Sequence, residues 1–82
     1  MIIVDIAVEA FDKIYDFKLD DSVAVSKIIE DICEMLAQKE KCEPVQDINN
    51  LILCKSGSGK ILPHGMTLKA CGVVSGDKLL LI

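Results

Sequence analysis

The chain has 82 residues, enough for one domain with a single modest core, and just over half of them are hydrophobic, which excludes a disordered chain. Thirteen acidic residues outweigh nine basic ones for a formal net charge of −4. The basic residues are all lysine and form no dense run, which argues against nucleic acid or an anionic membrane surface as partner. No apolar run approaches the ~18 residues that would span a bilayer. The opening Met1-Ile2-Ile3-Val4 meets Asp5 at once, unlike a secretory leader. A soluble, cytoplasmic protein with no direct membrane insertion is expected.

The chain begins with "IIVDIAVEAF", where Ile2, Val4, Ile6 and Val8 fall on one side and Ile3, Asp5, Ala7 and Glu9 on the other. That period of two predicts a strand with one buried face. "YDFKL" repeats it, with Tyr15, Phe17 and Leu19 inward, and the short separation predicts an antiparallel hairpin. The period then changes. Val25, Ile29, Ile32 and Leu36 make a helical stripe, which Ile28, Cys33 and Met35 widen or flank. Asp21 or Ser22 is the expected N-cap. The helix should end between Gln38 and Lys41, ahead of Pro44. Residues 42–50 read as a connector, "LILCK" and "KIL" as short strands, and Pro63-His64-Gly65 as a turn. "MTLKACGVV" is a compact segment with room for one helical turn. Ser75-Gly76-Asp77 turns again, and "KLLLI" has the bulk of a central strand. One helix needs one sheet face to bury against. The expected architecture is α+β: a single domain over residues 1–82 with a mixed four- or five-stranded sheet packed on one main helix.

The stretch "CKSGSGKIL" invites comparison with a phosphate-binding loop. That pattern needs a glycine where Cys54 stands and a hydroxyl where Ile61 stands, followed by a helix that Pro63 prevents. It reads as a hairpin turn, with Gly57 and Gly59 supplying backbone angles that other residues resist. His64, between Pro63 and Gly65, reads as an exposed turn residue without a nucleophile or orienting group. Glu30, Asp31 and Glu34 read as a solvated helix face, since carboxylates without a further ligand make a poor metal site. Cys33, Cys42, Cys54 and Cys71 form no C-x-x-C unit and act as small hydrophobes, Cys42 being the one expected at the surface. No catalytic, cofactor-binding or metal-binding residue is expected.

The informative feature is apolar residues that alternation turns outward. If Leu79 and Leu81 face the helix, Leu80 and Ile82 face away; Leu51 and Leu53 inward put Ile52 outward, on the side of Ile3 and Ala7. Several such residues on neighbouring strands would form a binding patch. The expected protein-binding residues are Ile52, Leu80 and Ile82, with Lys55, Lys60 and Lys78 as a charged rim. The same surface would equally serve a homodimer.

A hairpin, one helix and a return through short strands resemble the ubiquitin-like β-grasp fold. The segments "VSKIIEDI" and "TLKACGVVSGDKLLLI" carry the resemblance: Thr67-Leu68 opens a turn segment, and Val73 and Ser75-Gly76-Asp77 lead into Leu79–Leu81. Within that superfamily, "DIAVEAF", "YDFKL" and "CGVVSGDKLLLI" are similar to the small bacterial proteins of the YukD/EsaB type. That resemblance implies a non-catalytic cytosolic accessory or regulatory protein of type VII (ESX-like, WXG100) secretion in Gram-positive bacteria. The partner it implies is a membrane or ATPase component of the machine. Because the chain stops at Ile82 with no glycine beyond Gly76, neither conjugation nor sulfur carriage is expected. The alternative is a ubiquitin-like structural subunit or homodimeric adaptor of another cytosolic complex.

Overall fold

The alternating start of the chain forms an antiparallel pair. Strand β1 (Ile2–Val8) lies against β2 (Lys13–Leu19), in a register running from Ile2–Leu19 to Val8–Lys13. The reversal is a 3-10 turn, Glu9–Phe11, closed by Asp12 in the left-handed region at φ 52°. The computed structural model of the chain describes residues 1–41 and 50–82. The predicted connector, with Cys42 and Pro44 in it, lies outside the described residues as far as position 49.

Helix α1 (Val25–Lys39) buries Val25, Ile28, Ile29, Ile32, Cys33, Leu36 and Ala37, one face at helical spacing. Its opposite side carries Lys27 and Asp31, paired at 3.3 Å across one turn. Neither Asp21 nor Ser22 caps it. Ala24 is the N-cap residue and makes no side-chain cap. The first-turn amides of Val25 and Ser26 instead donate to the carbonyls of Met66 (2.8 Å) and His64 (3.1 Å). A packed loop thus supplies the acceptors that a cap would otherwise provide. Asp20, one residue earlier than expected, accepts from the amide and hydroxyl of Ser22 and shapes the turn before the helix.

Three short strands complete the sheet: β3 (Leu53–Lys55), β4 (Ile61–Leu62) and β5 (Lys78–Leu81). Five strands run in the order β2-β1-β5-β3-β4, with β1 and β5 parallel at the centre and the other pairs antiparallel. This is the mixed sheet on one helix of the ubiquitin-like β-grasp fold. The β3 ladder begins at Leu53, two residues later than "LILCK" suggests, although Ile52 and Ile82 still exchange backbone hydrogen bonds of 3.1 and 2.9 Å.

The turn Ser75-Gly76-Asp77 seats β5 beside β1. Gly76, at φ +91°, aims its amide at the Ile3 carbonyl (2.8 Å), while the Asp77 carboxylate accepts from Val74 and its carbonyl from Asp5. Residues 67–73 form successive hydrogen-bonded turns rather than a helix, and place Leu68 and Val73 in the core. The core itself is aliphatic, with Val4, Ile6, Ile29, Ile32, Leu53, Leu62, Leu68 and Leu79 fully enclosed between helix and sheet. Each such side chain stabilises the fold by roughly 1.5–3 kcal/mol relative to exposure.

Candidate functional site

The helix covers one face of the sheet and leaves the other open. Alternation along each strand decides what that open face carries. Strand β1 presents Ile3, Asp5 and Ala7, and β2 presents Ile14, Asp16 and Lys18, because their neighbours are buried under the helix. Strand β5 presents Lys78 and Leu80, with Ile82 just beyond, and β3 presents Cys54, preceded by Ile52.

Register then assembles these residues. Ile14 stands opposite Ala7, Ala7 opposite Leu80, Leu80 opposite Cys54, and Cys54 opposite Ile61. One apolar row therefore crosses all five strands. Ile52 and Ile82, paired beside it, widen the row on one side. Exposure rises from the middle of the row to its ends: Cys54 is 5% exposed, whereas Ile61 and Ile14 reach 58% and 71%. Apolar side chains aligned across a sheet face beside charged ones make this face the candidate protein-binding surface.

A charged row runs alongside. Asp16 faces Asp5 across the hairpin, and Asp5 faces Lys78 on β5. The Asp5 carboxyl is hydrogen-bonded to that of Asp16 and repels its charge, which holds the Asp16 pKa above the ordinary carboxylate value.

The residues expected from sequence divide clearly. Ile52, Leu80 and Ile82 come together on the open face, with Lys78 in the adjacent row. Lys60 is exposed in the connection between β3 and β4. Lys55 does not join them. It follows Leu53 onto the helix side of the sheet, where its ammonium meets the Gly72 carbonyl at 3.5 Å and Asp77 at 4.0 Å. Ile14 and Ile61 belong to the surface and were not anticipated. Tyr15 facing inward already implies Ile14 facing outward, but the alignment of Ile14 and Ile61 in one row depends on inter-strand register.

The remaining candidates resolve into structural roles. The Lys55 amide donates to the Lys60 carbonyl at 2.9 Å, closing the glycine-rich stretch as a hairpin connection. Of its two glycines only Gly59 takes a positive φ, +68°. His64 is half-buried rather than exposed, with Nε2 2.8 Å from the Leu51 carbonyl oxygen. Cys33, Cys54 and Cys71 are free thiols buried in the packing, and burial raises the Cys33 pKa. Among the described residues, no group of His, Cys, Asp and Glu is arranged to hold a metal ion, and no helix is long and apolar enough to cross a membrane.

The family model for the WXG100 protein secretion system (Wss) protein YukD matches residues 3–81. The chain belongs to the YukD family. Solved structures similar to this YukD-family chain are ubiquitin-like. Caldiarchaeum subterraneum ubiquitin superposes with a TM-score of 0.71 at 21% identity, over 99% of this chain and 90% of that one. A ubiquitin-like domain of an Arabidopsis thaliana protein gives 0.72 at 17% identity, over 99% and 74%. The N-terminal ubiquitin-like domain of the 4931431F19Rik protein gives 0.70 at 18% identity, over 99% and 72%. These likenesses establish the ubiquitin-like fold of this chain. No curated protein matches the chain in sequence.

Proposed function

We propose that the protein is a non-catalytic binding module of a WXG100-type (type VII) secretion system, acting in the cytoplasm as an accessory or regulatory component. Its partner is a membrane or ATPase component of that machine, held on the open sheet face. The apolar row from Ile14 through Leu80 to Ile61 carries this reading, because it presents hydrophobic side chains from every strand of the sheet. Ile52, Leu80 and Ile82 form the centre of the contact, and Lys78 and Lys60 border it. Lys55 contributes by holding the Asp77 turn in place rather than by touching the partner. An apolar surface with a charged margin suits desolvation of a complementary protein surface.

The test is capture from the cytosol of the native organism with wild-type protein and with Ile52→Asp and Leu80→Asp, after circular dichroism has shown all three folded. The expected result is a secretion-system component, identified by mass spectrometry, bound by wild type and lost from both variants. Retention of that partner by both variants would overturn the sheet-face assignment. Specific capture only of proteins outside any secretion system would overturn the assignment to secretion.

A further inference from the structure

An open sheet has two edges, and this one treats them differently. The β4 edge is two residues long and is followed at once by Pro63. Shortness and proline are the usual guards against pairing with another chain. The β2 edge is seven residues long, with neither proline nor glycine. Its backbone phase follows from the neighbouring hydrogen bonds. The Asp5 amide donates to Asp77 and the Ile3 carbonyl accepts from Gly76, so these positions of β1 turn their backbone groups toward β5. The alternate positions Ile2, Val4, Ile6 and Val8 turn theirs toward Leu19, Phe17, Tyr15 and Lys13. That leaves the N–H and C=O groups of Ile14, Asp16 and Lys18 directed away from β1, at an edge with which no other strand pairs among the described residues.

Lysine on an edge strand ordinarily repels a second copy. Here Asp16 stands two positions from Lys18, and one symmetric register converts that repulsion into attraction. Antiparallel pairing centred on Phe17 puts Asp16 opposite the second copy's Lys18, twice by symmetry, and brings the free backbone groups of both residues into hydrogen-bonding phase. The same register sets Phe17 on Phe17 and Tyr15 on Leu19 at the helix side. Centring on Asp16 would oppose two carboxylates already crowded by Asp5, and centring on Lys18 would oppose two ammonium groups. Centring on Tyr15 would set Ile14 against Asp16. In the single chain, Lys18 makes no ion pair among the described residues, and the carboxyl group of Asp16 has Asp5 rather than a cation as its cross-strand neighbour.

We infer that β2 pairs antiparallel with β2 of a second copy of this chain, in the register centred on Phe17, joining two five-stranded sheets into one. The contact leaves the open face of both copies free, so it stands apart from the docking proposed above. The overlap of five residues from each copy buries less than the roughly 800 Å² per partner of a standard stable complex. The dimer is therefore concentration-dependent and is weakened by salt.

Sedimentation velocity over a concentration series tests this. Wild type is expected to pass from monomer to dimer. Asp16→Lys and Lys18→Asp, each alone, should weaken self-association by about tenfold or more, because two attractive pairs become two repulsive ones. An equimolar mixture of the two variants should dimerise at least as well as wild type, since each then presents the other's complement. Both substitutions fall on exposed positions, and the mixture shows that neither loss reflects misfolding. A wild-type chain that stays monomeric up to about 1 mM would overturn the inference. So would a dimer indifferent to both charge reversals; one lost instead on Ile52→Asp would place the contact on the open face.

Discussion

The phenol of Tyr15, in the middle of β2, donates to the carboxylate of Glu40, the residue that ends α1. Lys13 reaches the same carboxylate at 3.4 Å, and the Lys39 ammonium lies 5.0 Å from the centre of the Tyr15 ring. The helix C-terminus is thereby tied to the edge of the sheet by groups that sequence separates widely.

This tie makes stability depend on pH in a definite sense. The Tyr15 hydrogen bond chiefly, with Lys13 and Lys39 helping, holds the Glu40 pKa below its ordinary value. A carboxylate with a lowered folded-state pKa stabilises the fold above its unfolded pKa, and that contribution is lost as pH falls through the folded value. Glu40→Gln should lower Tm at neutral pH by roughly a few degrees, and the difference from wild type should close in acid. Tyr15→Phe should remove much of the same increment, so the two substitutions together should cost less than their sum. Thermal melts of the four proteins between acid and neutral pH would decide it; full additivity would mean that the pair does not act as a unit.

Asp5 and Asp16 give the opposite sign. The Asp16 pKa is raised by its hydrogen bond with Asp5 and by the Asp5 charge, so the folded state holds a proton more tightly than the unfolded chain does. The pair is least costly below the unfolded pKa, and the cost of two charges develops as pH rises through the folded value. Asp16→Asn should therefore raise Tm slightly at neutral pH, with the gain vanishing in acid. A gain that persists unchanged at low pH would show that charge repulsion is not its source.

The division between what the sequence declares and what it withholds follows from the range of the interactions. Alternation in residues 2–19 and the stripe from Val25 to Leu36 are local, and they predict the hairpin, the helix and the core face directly. The same alternation turns Ile52, Leu80 and Ile82 outward. It also sends Lys55 inward behind Leu53, a consequence that the rim assignment overlooked. The helix start was misjudged because its acceptors, the carbonyls of His64 and Met66, come from a loop far along the chain. The apolar row was only half legible for a related reason. Ile14, Cys54 and Ile61 line up with Leu80 through strand registers that no local pattern encodes.

The core should be sensitive to single truncations. Ile29 is wholly buried in the second turn of α1, in a core that is almost entirely aliphatic. Ile29→Ala removes buried methyl and methylene groups and leaves a cavity, at an expected cost of about 2–5 kcal/mol. That is a large share of the stability of a small domain, typically about 5–15 kcal/mol. Ile29→Val should cost only about 0.5–1.5 kcal/mol. Urea titrations should show lowered midpoints with little change in slope. Equal effects from the two variants would mean that the helix interface relaxes around the loss.

Cys54 reports on the open face itself. It lies in the apolar row yet is only 5% exposed, since it is smaller than its cross-strand neighbours Leu80 and Ile61. Its Sγ lies 3.6 Å from the Leu80 carbonyl oxygen, which it meets as a weak donor. Access of an alkylating reagent therefore depends on the side chains beside it, and these are also the ones proposed to hold a partner. Ile61→Ala should speed alkylation of Cys54 several-fold, with the modified site located by peptide mass mapping. Stability should change little, because Ile61 is itself 58% exposed. A bound partner should slow the same reaction below the wild-type rate. If Ile61→Ala leaves the rate unchanged, the row does not close over Cys54 and its side chains cannot present one continuous apolar surface. If the rate rises in the variant but a bound partner gives no protection, the row is intact and the partner sits elsewhere, which points to the helix side of the molecule.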